Sequence, residues 1–163
     1  MLDRSTKFST AIAYHEAGYA VAGRTLGIII RPPQLDRGLR RHLGDVIDLE
    51  KTFELAKETG KDVSELPDDA GSVSIAELFA VVFLAGSAAS RRCDANATGD
   101  RDGLAARNLI FADLLERFSA PLKPAFARTY LNTRMRELAA EAEKLINENW
   151  HEIEVEAARL AAK

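Results

Sequence analysis

The chain has 163 residues, of which 47% are hydrophobic and 29% charged, and its formal net charge at pH 7 is -3. This composition is typical of one soluble globular domain with a sizeable core and excludes a disordered or collagen-like chain. The mildly acidic balance argues against nucleic-acid binding, because the basic residues within 31–42 are interrupted by Asp36 and have no aromatic residue between them.

The N-terminal residues do not match a secretory signal peptide, since Asp3, Arg4 and Lys7 precede any apolar run. The most apolar segment, residues 78–86, is much shorter than the roughly 20 residues needed to cross a bilayer. Cys93 is the single cysteine, so no intramolecular disulfide can form, as is usual in a reducing compartment. The sequence therefore predicts a cytoplasmic protein without a membrane span.

The first predicted helix covers residues 9–26, where a possible N-cap, many alanines and helical apolar spacing occur together. Gly27 follows as a stop signal. Two apolar runs, residues 28–30 and 43–47, predict a small two-stranded ribbon over residues 28–48. Residues 51–71 are polar and predict at most one short helix.

The second half of the chain is predicted to be helical. Residues 72–93 are apolar on nearly all sides and predict a helix through the middle of the core. Residues 101–118 predict an amphipathic helix, and residues 124–161 predict one long helix or two with a kink near 147–150. The sequence thus predicts a single mainly α domain over residues 1–163, with a small β-ribbon.

The stretch YHEAGY places His15 and Tyr19 four residues apart, which puts them on one face of the first helix. Zinc hydrolases present two histidines in this way, with the intervening Glu deprotonating a metal-bound water. Here Glu16 is present but Tyr19 stands at the second ligand position. The presence of Glu16 favours the interpretation as a functional site, because a carboxylate that faces solvent has no packing role. A third ligand must come from elsewhere, and Asp100 and Asp102 are the candidates.

The same residues are also compatible with a helix that carries a polar patch but no functional site, since aspartates are favoured near helix N-termini. A phenol has a pKa near 10 and must lose a proton to become a good ligand, so Tyr19 predicts a zinc site that is weakened or absent. His42 and His151 are the remaining histidines, and we expect both to be surface residues rather than substitute ligands.

Several segments resemble one known family. The motif and its flanks, STAIAYHEAGYAVAGRTLG, resemble the start of the peptidase domain of the FtsH-type ATP-dependent zinc metalloproteases, where A-Y-H-E-A-G-H-A-V is typical. VFLAGSAAS is similar to that family's L-x-G-R-A-A-E helix, and TGDRDGLAARNL to its G-A-x-x-D-L-x-x-A segment. RHLGDVIDL looks like its β-segment, and the end of the chain looks like its closing helix. The resemblance implies an FtsH-peptidase-like helical metalloprotease domain.

The resemblance also implies roles for individual residues. His15 falls on the first zinc ligand, Glu16 on the general base and Tyr19 on the second ligand. The third ligand falls on Asp102, with Asp100 as the alternative because the spacing from the preceding glycine is one residue short. The implied cofactor is zinc.

Two functions follow from these roles. The first is an FtsH-type zinc metallopeptidase-like protein that hydrolyses peptide bonds by metal-activated water, impaired or inactive because of Tyr19. The alternative is a pseudopeptidase that binds a peptide or a partner protein. The family's ATPase module and membrane segments are missing, and the Gly60–Lys61 pair is not a P-loop, so no ATP site is predicted. The oligomeric state is left open.

Overall fold

A computed structural model describes residues 4–33, 43–60, 74–97, 100–118 and 121–162, with side chains described from Thr10 onward except that of Asp100. This part of the chain is mainly helical, as predicted, and none of its helices is both long and apolar enough to span a bilayer. The helices are α1 (Arg4–Leu26), α2 (Leu43–Val46), α3 (Leu49–Glu58), α4 (Ile75–Cys93), α5 (Asp100–Arg117), α6 (Pro124–Glu148) and α7 (Trp150–Ala161).

Helix α4 is the centre of the core, and every residue from Phe79 to Ser90 along it is buried. A capping box starts the helix: the Ser74 hydroxyl accepts from the Glu77 N–H, and the Glu77 carboxylate accepts from the Ser74 N–H, both at 3.2 Å. A helix that is apolar all round has to be covered on several sides, and α1, α5 and α6 all pack against α4.

Helices α1 and α4 cross unusually closely because small residues line their contact. A Cβ atom on Gly18 of α1 would lie 2.8 Å from the carbonyl oxygen of Ala85 and 2.9 Å from the Cβ of Ala89. Only glycine fits at position 18 without moving a backbone. The crossing brings the middle of α1, which carries the YHEAGY motif, against the middle of α4.

Helices α6 and α7 cover the core from the outside. They meet at Asn149, whose side-chain amide donates to the Leu145 carbonyl oxygen at 2.8 Å and so caps the end of α6. Helix α6 packs mainly against α4, and α7 packs against α1. The predicted apolar stripe of this region is buried at Leu138, Leu145, Ile146 and Ile153, with Trp150 partly buried.

The β-ribbon predicted over residues 28–48 is reduced, in the described residues, to one isolated bridge between Ile30 and Ile47. Its hydrogen bonds run from Arg31 N–H to Val46 C=O at 2.8 Å and from Asp48 N–H to Ile29 C=O at 2.9 Å. The second predicted strand, residues 43–47, is mostly the short helix α2. Asp48 already caps α3, so the chain returns to a helix directly after Ile47 and leaves no length for a second strand.

A buried ion-pair network joins α4, α5 and α6. The Glu77 carboxylate, which is 3% exposed, accepts from Arg134 Nε at 2.6 Å. Arg117 contacts Asp113 at 2.7 Å and lies 3.9 Å from the same Glu77 oxygen. The two buried carboxylates of this network, Glu77 and Asp113, therefore each have a cation beside them, as burial of a charge requires.

Candidate functional site

Three residues that the sequence singled out lie together in the structure. His15 and Tyr19 project from consecutive turns of α1, and Asp102 projects from the first turn of α5. All three are buried, with exposures of 3%, 0% and 2%. We call this group the His–Tyr–Asp cluster.

The polar atoms of the cluster form a closed triangle. His15 Nε2 lies 2.8 Å from the Tyr19 hydroxyl oxygen and 2.9 Å from Asp102 Oδ2. The Tyr19 hydroxyl donates to Asp102 Oδ1 at 2.8 Å. These are hydrogen-bond lengths, so the three side chains are bonded to one another.

One arrangement of protons satisfies the whole triangle. A phenol carries one proton, and Tyr19 donates it to Asp102. The contact between Tyr19 and His15 is then completed by the tautomer of His15 that carries its proton on Nε2, beside both the phenol oxygen and Asp102 Oδ2. In that tautomer a metal ion can bind His15 Nε2 only by displacing the proton and breaking both contacts.

The phenol is held in its neutral form. Burial raises the pKa of Tyr19 well above its ordinary value of 10.0, and the Asp102 carboxylate raises it further. A metal would require the tyrosinate, which this environment disfavours. Two ligands of a tetrahedral zinc, at bonds of about 2.0 to 2.1 Å, also lie about 3.4 Å apart, farther than any side of this triangle. In this arrangement the cluster does not fit a zinc centre.

The Tyr19 ring is tightly packed in the contact between α1 and α4. A Cβ atom on Gly86 would lie 2.4 Å from one ring carbon of Tyr19 and 2.7 Å from another. The Phe83 ring meets Tyr19 edge-on, with centroids 6.0 Å apart. The phenol is therefore fixed on its sides by packing and at its tip by hydrogen bonds.

Ser87 also belongs to the site, although it was not predicted from the sequence. Its hydroxyl donates to Asp102 Oδ2 at 2.8 Å and is buried on α4. Asp102 thus accepts hydrogen bonds from α1 and from α4. One signal was available: Ser87 stands where the family pattern L-x-G-R-A-A-E has its arginine, a polar residue inside an apolar helix.

Glu16 lies beside the cluster but faces another space. It is 3% exposed, not solvent-facing as the sequence reading assumed, and it lines a groove of about 790 Å³ between α1, residues 27–33 and α7. The apolar lining of the groove comes from Ala20, Ile28, Ile30, Leu55 and Leu160.

One wall of the groove is formed by residues 27–33, which include the bridge residue Ile30. The bridge hydrogen bonds use Ile29 and Arg31, so the N–H and C=O of Ile30 point to the opposite edge. The groove is also lined by Arg24, Arg31 and Arg159, which are all exposed. Such an edge and pocket can bind a peptide in extended conformation, with one apolar side chain of the peptide in the pocket.

The remaining candidate ligands do not join the cluster in the described part of the chain. His151 is exposed on α7, while His42 and the side chain of Asp100 lie outside what the structure describes. Across the described residues, no three His, Cys, Asp or Glu side chains are grouped so that they could hold a metal ion.

No family model, no curated protein and no solved structure matches this chain.

Proposed function

We propose that this chain is an FtsH-type metallopeptidase-like domain that has lost peptide-bond hydrolysis and binds peptide segments in its groove. The observation that carries the proposal is the Tyr19 hydroxyl, which is hydrogen-bonded to both His15 and Asp102. From the resemblance we expect His15, Tyr19 and Asp102 at the three ligand positions. In the structure the Tyr19 phenol is instead hydrogen-bonded to the other two side chains.

The loss of hydrolysis follows from the chemistry of the cluster. Peptide hydrolysis of this type needs a polarised water and a base to deprotonate it. Glu16 is retained at the position of the base, but Tyr19 is a neutral phenol bonded to both His15 and Asp102, so it offers no second ligand to hold an ion that would polarise a water. The cluster instead ties α1 to α5, a structural role that does not require an ion.

The peptide-binding part of the proposal is supported by the groove. Its apolar lining can accept a side chain, and the free edge of Ile30 can pair with an extended backbone. The Ile30–Ile47 bridge lies in the segment where the resemblance expects a β-segment, which supports an FtsH-like arrangement around the groove. The single cysteine supports a cytoplasmic setting.

Binding and cleavage can be tested on the same probe, fluorescein-labelled peptides from casein, an unfolded protein. We expect anisotropy to report binding and electrophoresis to report no cleavage, with or without added zinc. Ala20→Phe fills the groove and should weaken binding, whereas Ala140→Phe on the exposed side of α6 should not. Absence of binding, or equal binding by both variants, would contradict the groove as the binding site.

Residual hydrolysis is the second candidate, and the position of Glu16 at the groove favours it. If zinc-dependent cleavage is found, Glu16→Gln should abolish it while the far-ultraviolet circular dichroism stays unchanged. That result would overturn the pseudopeptidase proposal and assign the protein to the active members of the type.

A further inference from the structure

A group of exposed apolar side chains in the described part of the chain lies away from the groove. Among the described residues, seven large apolar side chains are exposed, and five of them lie together on α5 and at its junction with α6. We call these five residues the α5 patch: Leu104, Phe111, Leu115, Phe118 and Phe126. The other two, Phe53 and Val155, lie on α3 and α7.

The α5 patch is continuous. Leu104, Phe111, Leu115 and Phe118 follow one another at spacings of seven, four and three residues, which places them on one helical face. The stripe is about 21 Å long at 1.5 Å per residue. Phe118 contacts Phe126 of α6 edge-on, with ring centroids 5.8 Å apart, and so widens the stripe at one end. A contiguous apolar patch of this size marks an interaction surface on a soluble protein.

We propose that the α5 patch binds a second copy of this chain, with the two α5 helices antiparallel about a two-fold axis. The charges beside the stripe argue for this partner and this orientation. Arg101 and Glu116 are both exposed, and fifteen residues of helix place them on the same flank of the stripe at opposite ends. In an antiparallel pair, each Arg101 lies beside Glu116 of the other copy.

The two-fold symmetry makes that pairing occur twice, since an isologous interface repeats every contact. The axis then passes near Asn108, midway between the two charged residues, and Phe111 of each copy packs beside Leu104 of the other. In a parallel pair the two Arg101 side chains would instead lie at the same level on opposite flanks, and neither would be beside Glu116. The stripe with its two charges is therefore complementary to itself.

The area of the patch sets the expected strength. Five side chains that are each about half exposed present at most roughly 500 Å² per copy, or about 1,000 Å² for the pair. This lies at the lower end of specific interfaces, so we expect a dimer whose population rises with protein concentration.

Light scattering during size-exclusion chromatography tests the dimer. The wild-type mass should rise from the monomer value of 17.9 kDa towards twice that value as the concentration increases. Phe111→Glu should stay monomeric, and Leu115→Glu provides an independent check because both residues are exposed and neither is needed for the core. The matched control is Val155→Glu, which introduces the same charge at an exposed apolar residue of α7 and should dimerise normally.

A charge swap tests the antiparallel arrangement. Arg101→Glu and Glu116→Arg should each weaken the dimer by about tenfold, because each replaces two attractions with two repulsions. The double variant should restore wild-type dimerisation. Both changes suit the helix dipole of α5, and far-ultraviolet circular dichroism should show that each variant is folded. A monomeric mass at every concentration up to about 0.1 mM, or a double variant no better than the singles, would overturn the proposal.

Discussion

The Tyr19 hydroxyl lies 2.8 Å from Asp102 Oδ1, although the two residues are 83 positions apart in the chain. This hydrogen bond connects the motif helix α1 to the first turn of α5. It places a neutral phenol at the position that a second histidine would occupy in the zinc hydrolases that the motif resembles. The consequences can be measured on stability, on pH dependence and on metal affinity.

Removal of the hydroxyl should destabilise the fold. Tyr19→Phe keeps the buried ring but leaves the Nε2 proton of His15 with one acceptor fewer and Asp102 with one donor fewer. Loss of a buried hydrogen-bond partner costs about 1 to 3 kcal/mol, and we expect the free energy of unfolding in urea to fall by that amount. Tyr130→Phe, on a partly buried ring of α6 outside the cluster, should change it by less than about 0.5 kcal/mol. Equal effects for both variants would contradict a special role for the Tyr19 hydroxyl.

The raised pKa of Tyr19 predicts a loss of stability in alkali. In the unfolded chain the phenol loses its proton near its ordinary pKa of 10.0, whereas in the folded chain it keeps the proton to a higher pH. Above pH 10.0 the unfolded state therefore binds fewer protons, and raising the pH favours unfolding. We expect the stability advantage of the wild type over Tyr19→Phe to be constant below that pH and to shrink above it. Urea midpoints between about pH 8 and pH 11 measure the difference, and a gap that widens with pH would contradict the assignment.

Tyr19→His should recover a zinc site. The substitution replaces a neutral phenol by an imidazole four residues from His15, next to the carboxylate of Asp102. We expect an increase in zinc affinity of more than about 100-fold, measured by competition with a chromophoric chelator. Tyr19→Phe, which removes the hydroxyl but adds no ligand, is the control and should show no gain.

The metal content of wild-type protein purified without chelator completes this test, and elemental mass spectrometry should find no stoichiometric zinc. If Tyr19→His binds zinc no better than Tyr19→Phe, the positions of His15 and Asp102 are unsuitable as well. Near one zinc per wild-type chain would contradict the conclusion that the cluster does not fit zinc.

Gly86→Ala should be strongly destabilising for a reason confined to packing. The new methyl group would lie 2.4 Å from the Tyr19 ring, which is fully buried and has no room to move. We expect a loss of about 2 to 3 kcal/mol in urea unfolding. Gly103→Ala in the interior of α5 is the matched control, because a Cβ atom there meets nothing within 4 Å. That variant should be more stable by about 0.5 to 1 kcal/mol, as expected for glycine replaced by alanine in a helix.

The network around Arg134 offers a comparison of a buried and an exposed ion pair on one cation. Glu77 and Glu137 both lie 2.6 Å from Arg134, but their side chains are 4% and 55% exposed. Glu77→Ala also removes the capping box of α4 and should cost about 2 to 4 kcal/mol. Glu137→Ala should cost less than about 1 kcal/mol. Thermal unfolding of the two variants measures the difference, and similar losses would contradict the importance of burial.

The sequence predicted α4 and α5 closely, placed the start of α1 at residue 9 instead of Arg4, and predicted the site only in part. Apolar periodicity located α4 and α5 to within three residues, because each buries a face whose pattern is local. The ribbon was overestimated since residues 43–47 read as a strand in isolation, whereas the capping of α3 by Asp48 ends the extended segment. Such competition between neighbouring elements is not visible in a single apolar run.

The motif identified His15 and Tyr19, but their bonding could not be predicted from it. The triangle depends on the approach of α5 to α1, a tertiary distance that no local pattern encodes. Ser87 was missed because one hydroxyl in an apolar helix has no distinguishing spacing. The burial of Glu16 was also unpredicted, since helical position alone does not show which turn α7 and residues 27–33 will cover.

The bond from Ser87 to Asp102 also bears on how the molecule opens. Asp102 is held from α1 through Tyr19 and from α4 through Ser87, so three helices share one carboxylate. Detachment of α5 breaks both bonds, and detachment of α1 or α4 leaves the buried Asp102 without one of its donors. We infer that α1, α4 and α5 behave as one cooperative unit, whose amide protons exchange with solvent together.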